Sequence, residues 1–89
     1  MENKDNKIQT WVGWVSVGGR ILNTEGYYAR HENENCEFTW KGKTHIGLLR
    51  RLKRNASWAA RPKDHIIIEI AGVGEWFRDS YKTKYEKIY

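Results

Sequence analysis

KGKTHIGLLRRLKRNASWAARPK, residues 41–63, decides how this chain is read. It holds eight basic side chains, Lys41, Lys43, Arg50, Arg51, Lys53, Arg54, Arg61 and Lys63, and no acid. Its charge of +8 leaves −3 for the rest of a chain whose formal net charge is +5. The stretch also has helical periodicity. With one residue every ~100° about an axis, His45, Leu48, Leu49, Leu52, Ala56, Ala59 and Ala60 fall within roughly 120° of arc. Arg50, Arg54 and Arg61 gather on the other side, flanked by Arg51 and Lys53. Trp58 lies on the charged side, one turn beyond Arg54. Thr44 is the predicted N-cap, because its hydroxyl can accept an early backbone N–H. Pro62 disfavours helical geometry at Arg61, so the helix is predicted to end near Ala60. Gly47 is its weak point, costing about 1 kcal/mol relative to alanine in a helix interior.

A basic face without interleaved carboxylates gains nothing from intrahelical ion pairs. Clustered like charge is stabilised when a polyanion neutralises it, and such a field speeds encounter with phosphate chains. A tryptophan on that face offers a flat surface to a base. These features predict a nucleic-acid-binding face made of Lys41, Lys43, Arg50, Arg51, Lys53, Arg54, Trp58, Arg61 and Lys63. RNA is the first expected partner and DNA the second. Tyr27 and Tyr28 are further stacking candidates. One alternative is a protein-interaction module or inhibitor docking on an acidic or nucleic-acid-bound protein. Another is a metal-independent ribonuclease drawing on His31, His45 or His65. Small toxin ribonucleases have a comparable size and charge, but no motif aligns with them. The expected activity is therefore binding without catalysis; small size and the lack of a catalytic signature make an accessory or inhibitory protein of a phage or mobile element the guessed context.

No cofactor or metal site is expected. The three histidines are not spaced for a shared helical metal face. A single cysteine, Cys36, rules out an intramolecular disulfide and a multi-cysteine zinc site. No apolar run approaches bilayer length, and residues 1–10 are polar, so a cytoplasmic protein without a signal peptide is expected.

With 39% apolar residues, including twelve aromatics, the 89 residues can build one core. Residues 1–6 are predicted to be disordered and 7–89 to form a single α+β domain. Residues 7–17 read as a strand, Gly18–Gly19 as a hairpin turn and 20–22 as the return strand. Residues 27–31 read as extended. Residues 36–41 read as a third strand with Cys36, Phe38 and Trp40 on one face. After the basic helix, the isoleucine-rich run 65–71 reads as a buried strand. Phe77, Tyr81, Tyr85 and Ile88 share a helical face, which predicts a second helix over 75–89. Gly72–Val73–Gly74 reads as its strand-to-helix turn, since Phe77 occupies the third glycine position of a dinucleotide fingerprint. The predicted order is β-β-β-α-β-α, an antiparallel meander joined by the fourth strand, with helices packed on one face.

Overall fold

Strand β1 (Gln9–Val17) is the strand on which the other elements assemble. Its alternation divides its side chains between two environments. Gly13, Val15 and Val17 are buried on one face, while Val12, Trp14 and Ser16 are half-buried on the other. The computed structural model describes residues 7–80 and 84–89. The remaining elements are β2 (Arg20–Ile21), β3 (Phe38–Gly42), α1 (Ile46–Ala59), β4 (Ile66–Ile70), β5 (Gly74–Arg78) and β6 (Glu86–Lys87). The sequence reading of residues 1–6 and of Tyr81 falls outside the described residues.

All pairings are antiparallel. β3 pairs with the first half of β1, from Gln9↔Gly42 to Gly13↔Phe38, and β2 pairs at its end through Ser16↔Ile21 and Val17↔Arg20. β4 takes the other edge, from Gly13↔Ile70 to Val17↔Ile66. β5 and β6 then extend the sheet beyond β4. The register places Val15, Ile68 and Trp76 in one row across three strands. α1 closes over this face with Leu48, Leu52 and Ala56, and Phe38 and Leu22 complete the core. Full burial of the leucine and phenylalanine side chains contributes about 1.5–3 kcal/mol each. Among the described residues, no helix covers the opposite face. This is the predicted α+β class, an antiparallel sheet with a helix on one face.

Four local expectations are corrected. The described residues of 75–89 do not form a second helix: they hold strands β5 and β6 and irregular segments. β4 is already paired to β1, so its far edge needs hydrogen-bond partners, and β5 supplies them. Adjacent Trp76 and Phe77 fit a strand, pointing to opposite faces and pairing with Ile68 and Ile67. Gly72–Gly74 is consequently a hairpin turn, with Val73 N–H donating to the Ile70 carbonyl at 3.0 Å. The first three strands are not a meander, since β3 returns to β1 rather than to β2. Residues 27–31 contribute one bridge, Leu22↔Tyr28, not a strand.

The basic helix ends as its sequence predicts, with Ala60 extended at the C-cap. At its start, Thr44 Oγ1 accepts the Ile46 N–H at 3.4 Å, and His45 occupies the N-cap position. His45 packs between Trp11 and Trp76, with ring centroids 5.9 Å from each. Gly47 has a packing reason. The Trp40 indole lies across the first turn of α1, where a Cβ at Gly47 would overlap it. Gly47→Ala is expected to destabilise the domain by about 1–3 kcal/mol through overpacking. In a Trp40→Ala background the same change should stabilise by about 0.5–1 kcal/mol, as helix propensity then prevails. Thermal melts of the two single variants and the double variant read the sign reversal.

Candidate nucleic-acid interface

The helix turns two kinds of surface to its surroundings. Leu48, Leu52 and Ala56 meet the sheet. Arg50, Arg54, Ser57 and Trp58 are exposed on the side away from it. Trp58 keeps 85% of its surface accessible, whereas Trp76 keeps 8% and Trp11 and Trp14 are half-buried. Lys43, Arg61 and Lys63 are exposed at the two ends of the helix. The first and last turns of α1 carry no acid and no base, respectively, so the charge is concentrated in the middle of the helix.

Three predicted site residues have other surroundings. Arg51 Nη1 donates to the Thr39 carbonyl at 3.2 Å, and its guanidinium lies 5.0 Å from the Phe38 ring centroid. It thus ties α1 to β3. Lys53 Nζ lies 4.9 Å from the Tyr85 ring centroid, where Arg78 also approaches at 5.5 Å. Burial raises the Tyr85 hydroxyl above its ordinary pKa, so the ring under these cations stays neutral. Lys41 alternates with Trp40 along β3 and so points away from the helix side. The exposed set on or beside α1 is therefore Lys43, Arg50, Arg54, Trp58, Arg61 and Lys63.

The tyrosines separate as well. Tyr27 is 70% exposed. Tyr28 is half-buried, with Arg20 3.9 Å above its ring and its hydroxyl donating to the Ala59 carbonyl at 3.2 Å. Tyr28 anchors the loop to the helix end and leaves Tyr27 as the accessible ring. Trp58 and Tyr27 line one cleft of about 360 Å³, together with Glu25, Gly26, Tyr28, Asn55 and Ala59. The helix provides Asn55, Trp58 and Ala59, and the loop provides the rest. Gly26 has φ 92°, and a Cβ there would stand 2.7 Å from Asn55 Oδ1, so the loop rests directly on the helix. The sequence pattern had not marked Glu25, Gly26 or Asn55.

Asn23 and Glu34 shape that loop. Asn23 Oδ1 accepts from the backbone N–H groups of Glu25 and Tyr27, each at 3.0 Å. Asn23 Nδ2 donates to Glu34 Oε1 at 2.7 Å. Glu34 Oε2 accepts from the N–H groups of Arg30 and His31 at 2.6 and 2.9 Å. The Asn23 side chain first, then these two backbone donors, hold the Glu34 carboxyl below its ordinary value of 4.5.

Comparison with protein-family models, with curated proteins and with solved structures gives no match for this chain.

Two outcomes follow from this geometry. Arg51→Ala should cost about 1 kcal/mol of stability in urea denaturation, while Arg50→Ala should change it by less than about 0.5 kcal/mol. Glu34 has a lowered folded pKa, so its contribution is complete above the ordinary carboxylate range. That contribution is lost as pH falls through the folded value. Melts from neutral pH to about pH 3 should show a shallower acid decline in Glu34→Gln than in the native chain, from a lower neutral starting point.

Proposed function

We propose that this chain is a non-catalytic RNA-binding domain that holds phosphates along α1 and stacks bases at the end of that helix. The observation that carries the reading is the exposure of Trp58 beside Arg54, on a helix whose stretch contains no acid. A chain that shields three of its other tryptophans leaves this indole almost wholly in water. Base–aromatic stacking is worth about 1–3 kcal/mol per base, and a cationic track supplies sequence-independent affinity. Arg50, Arg54 and Arg61 supply the track, and Lys43 and Lys63 extend it at either end. Occupying RNA in this way also denies it to other proteins, which is an inhibitory mode of action.

Two of the three histidines, His45 and His65, are not placed to act on one bond. His45 is packed between Trp11 and Trp76 on the helix side of the sheet, while His65 lies 6.3 Å from the Phe77 ring, on the other side. A general acid and a general base must reach one scissile bond together, and this pair is separated by the sheet.

The test is affinity for single-stranded RNA as a function of salt. Four or five neutralised phosphates give a log–log slope of roughly −3 to −4. A slope near zero would dismiss phosphate binding. Equal affinity for single-stranded DNA would remove the preference for RNA. Joint charge reversal, Arg50→Glu with Arg54→Glu, should abolish binding with little change in melting temperature. Single neutralisations should each reduce the slope by about one.

A further inference from the structure

The cleft between Tyr27 and Trp58 has a polar character that the basic ridge does not share. Among the described residues, its lining includes one carboxylate, Glu25, and no cation. The backbone N–H of Glu25 is engaged by Asn23 Oδ1, while the residue itself is exposed. Two side-chain donors in the lining are already used. Tyr28 Oη donates to the Ala59 carbonyl, and Asn55 Nδ2 donates to the Arg51 carbonyl at 2.9 Å. The Asn55 group turned toward the loop is its oxygen, held against Gly26. The cleft is therefore lined by the Tyr27, Tyr28 and Trp58 rings and, beside the Trp58 and Tyr27 donors, by the acceptors of Asn55 and the Glu25 carboxylate.

A phosphate is disfavoured there by the carboxylate. A flat group with a donor edge is suited to it. We propose that the cleft is a base-binding site with a preference for an unpaired guanine, a reading that rests on RNA as the partner of the adjoining ridge. Guanine is the base with two neighbouring donors, N1–H and the 2-amino group, in one plane, and these match the two oxygens of a carboxylate. Adenine and cytosine present a single amino group beside an acceptor, and uracil presents one N–H between two carbonyls. Each of the other bases therefore sets at least one acceptor against Glu25 or leaves one oxygen without a donor. Tyr27 and Trp58 stack on the base, and Arg54, one turn before Trp58, receives a neighbouring phosphate. The volume, about 360 Å³, lies toward the small end of the range for small-molecule sites, roughly 300–1,000 Å³. It suits a single base rather than a duplex. A guanidinium side chain of a partner peptide shares the planar donor edge, but Arg50, Arg54 and Arg61 repel a cationic segment.

Two measurements test the site separately from the ridge. In the first, the isotope-labelled protein is titrated with neutral nucleosides and followed by NMR. Guanosine should saturate shifts of the Gly26 amide and the Trp58 indole N–H. Inosine, which lacks the 2-amino group, should do so more weakly, and adenosine, cytidine and uridine weakly or not at all. In the second, short oligouridines carrying one central guanosine, adenosine or cytidine are compared at fixed salt. The guanosine oligomer should bind about 5- to 150-fold tighter, the range of a good bidentate base contact. Glu25→Gln should remove that preference while leaving the salt slope and the melting temperature unchanged. Guanosine shifts at the cleft without salt-dependent RNA binding would uphold the site and reject the ridge. Salt-dependent RNA binding with equal affinity for all the oligomers would uphold the ridge and overturn the guanine site. Preference that survives Glu25→Gln would overturn it too, as would saturation of the cleft by N-acetylarginine amide in place of guanosine.

Discussion

The rest of the structure depends on the hydrogen bonding of β1. A strand of nine residues pairs with β3 and β2 along one edge and, over Gly13–Val17, with β4 along the other. That double pairing fixes register. Gly13 lies opposite Phe38 on one edge and Ile70 on the other, and Val15 and Val17 follow on the same face. The floor under α1 is set by this row. A Cβ at Gly13 would stand 3.0 Å from the Leu52 methyl, so the glycine admits the helix at this depth. Slipping β1 by one residue would exchange Val15 for Trp14 and turn the core outward.

The same arrangement sorts charge. The helix can face its apolar arc to the sheet only by turning Arg50 and Arg54 to water. On the uncovered face of the sheet, Glu69 stands directly opposite Glu75, and Glu86 opposite Phe77. Like charges opposite one another across strands are mildly destabilising. These three acids lie on the side of the sheet away from Arg50 and Arg54, whereas Asp64 stands at the end of the basic stretch, its Oδ2 accepting the Arg61 N–H at 2.9 Å. The basic stretch thereby keeps its field, which intervening carboxylates would otherwise weaken.

A helix alone is one wall of a site. The second wall is the loop of residues 23–35, which has almost no regular structure. Its shape is held by the Asn23 and Glu34 side chains accepting backbone N–H groups. The Tyr28 hydroxyl and the contact of Gly26 with Asn55 then fasten it to the last turns of α1. Tyr27 is presented at the surface as a result, next to a tryptophan some thirty positions later in the chain.

The sequence by itself determined the elements whose signals are local. Leu48, Leu52 and Ala56 recur at helical spacing and are the residues buried under α1, and Pro62 limits its end. The run Ile66–Ile70 is a central strand, with Ile66, Ile68 and Ile70 buried under the helix and Ile67 half-buried on the uncovered face. Arg50, Arg54 and Trp58 were placed on the outward side by the same periodicity, and they are exposed. The tertiary structure decided what depends on distant partners. Phe77, Tyr85 and Ile88 have helical spacing, yet the free edge of β4 draws residues 74–78 into the sheet, since unpaired strand groups cost more than a weak helical preference returns. Arg51 and Lys53 looked like their neighbours in sequence and were assigned to Thr39 and Tyr85 only by packing. Gly47 read as a defect until Trp40 arrived from β3. The cleft was the least legible feature, because Glu25, Gly26, Tyr27, Asn55 and Trp58 meet only after β1 has set the loop and the helix side by side, and no spacing within either segment encodes that meeting.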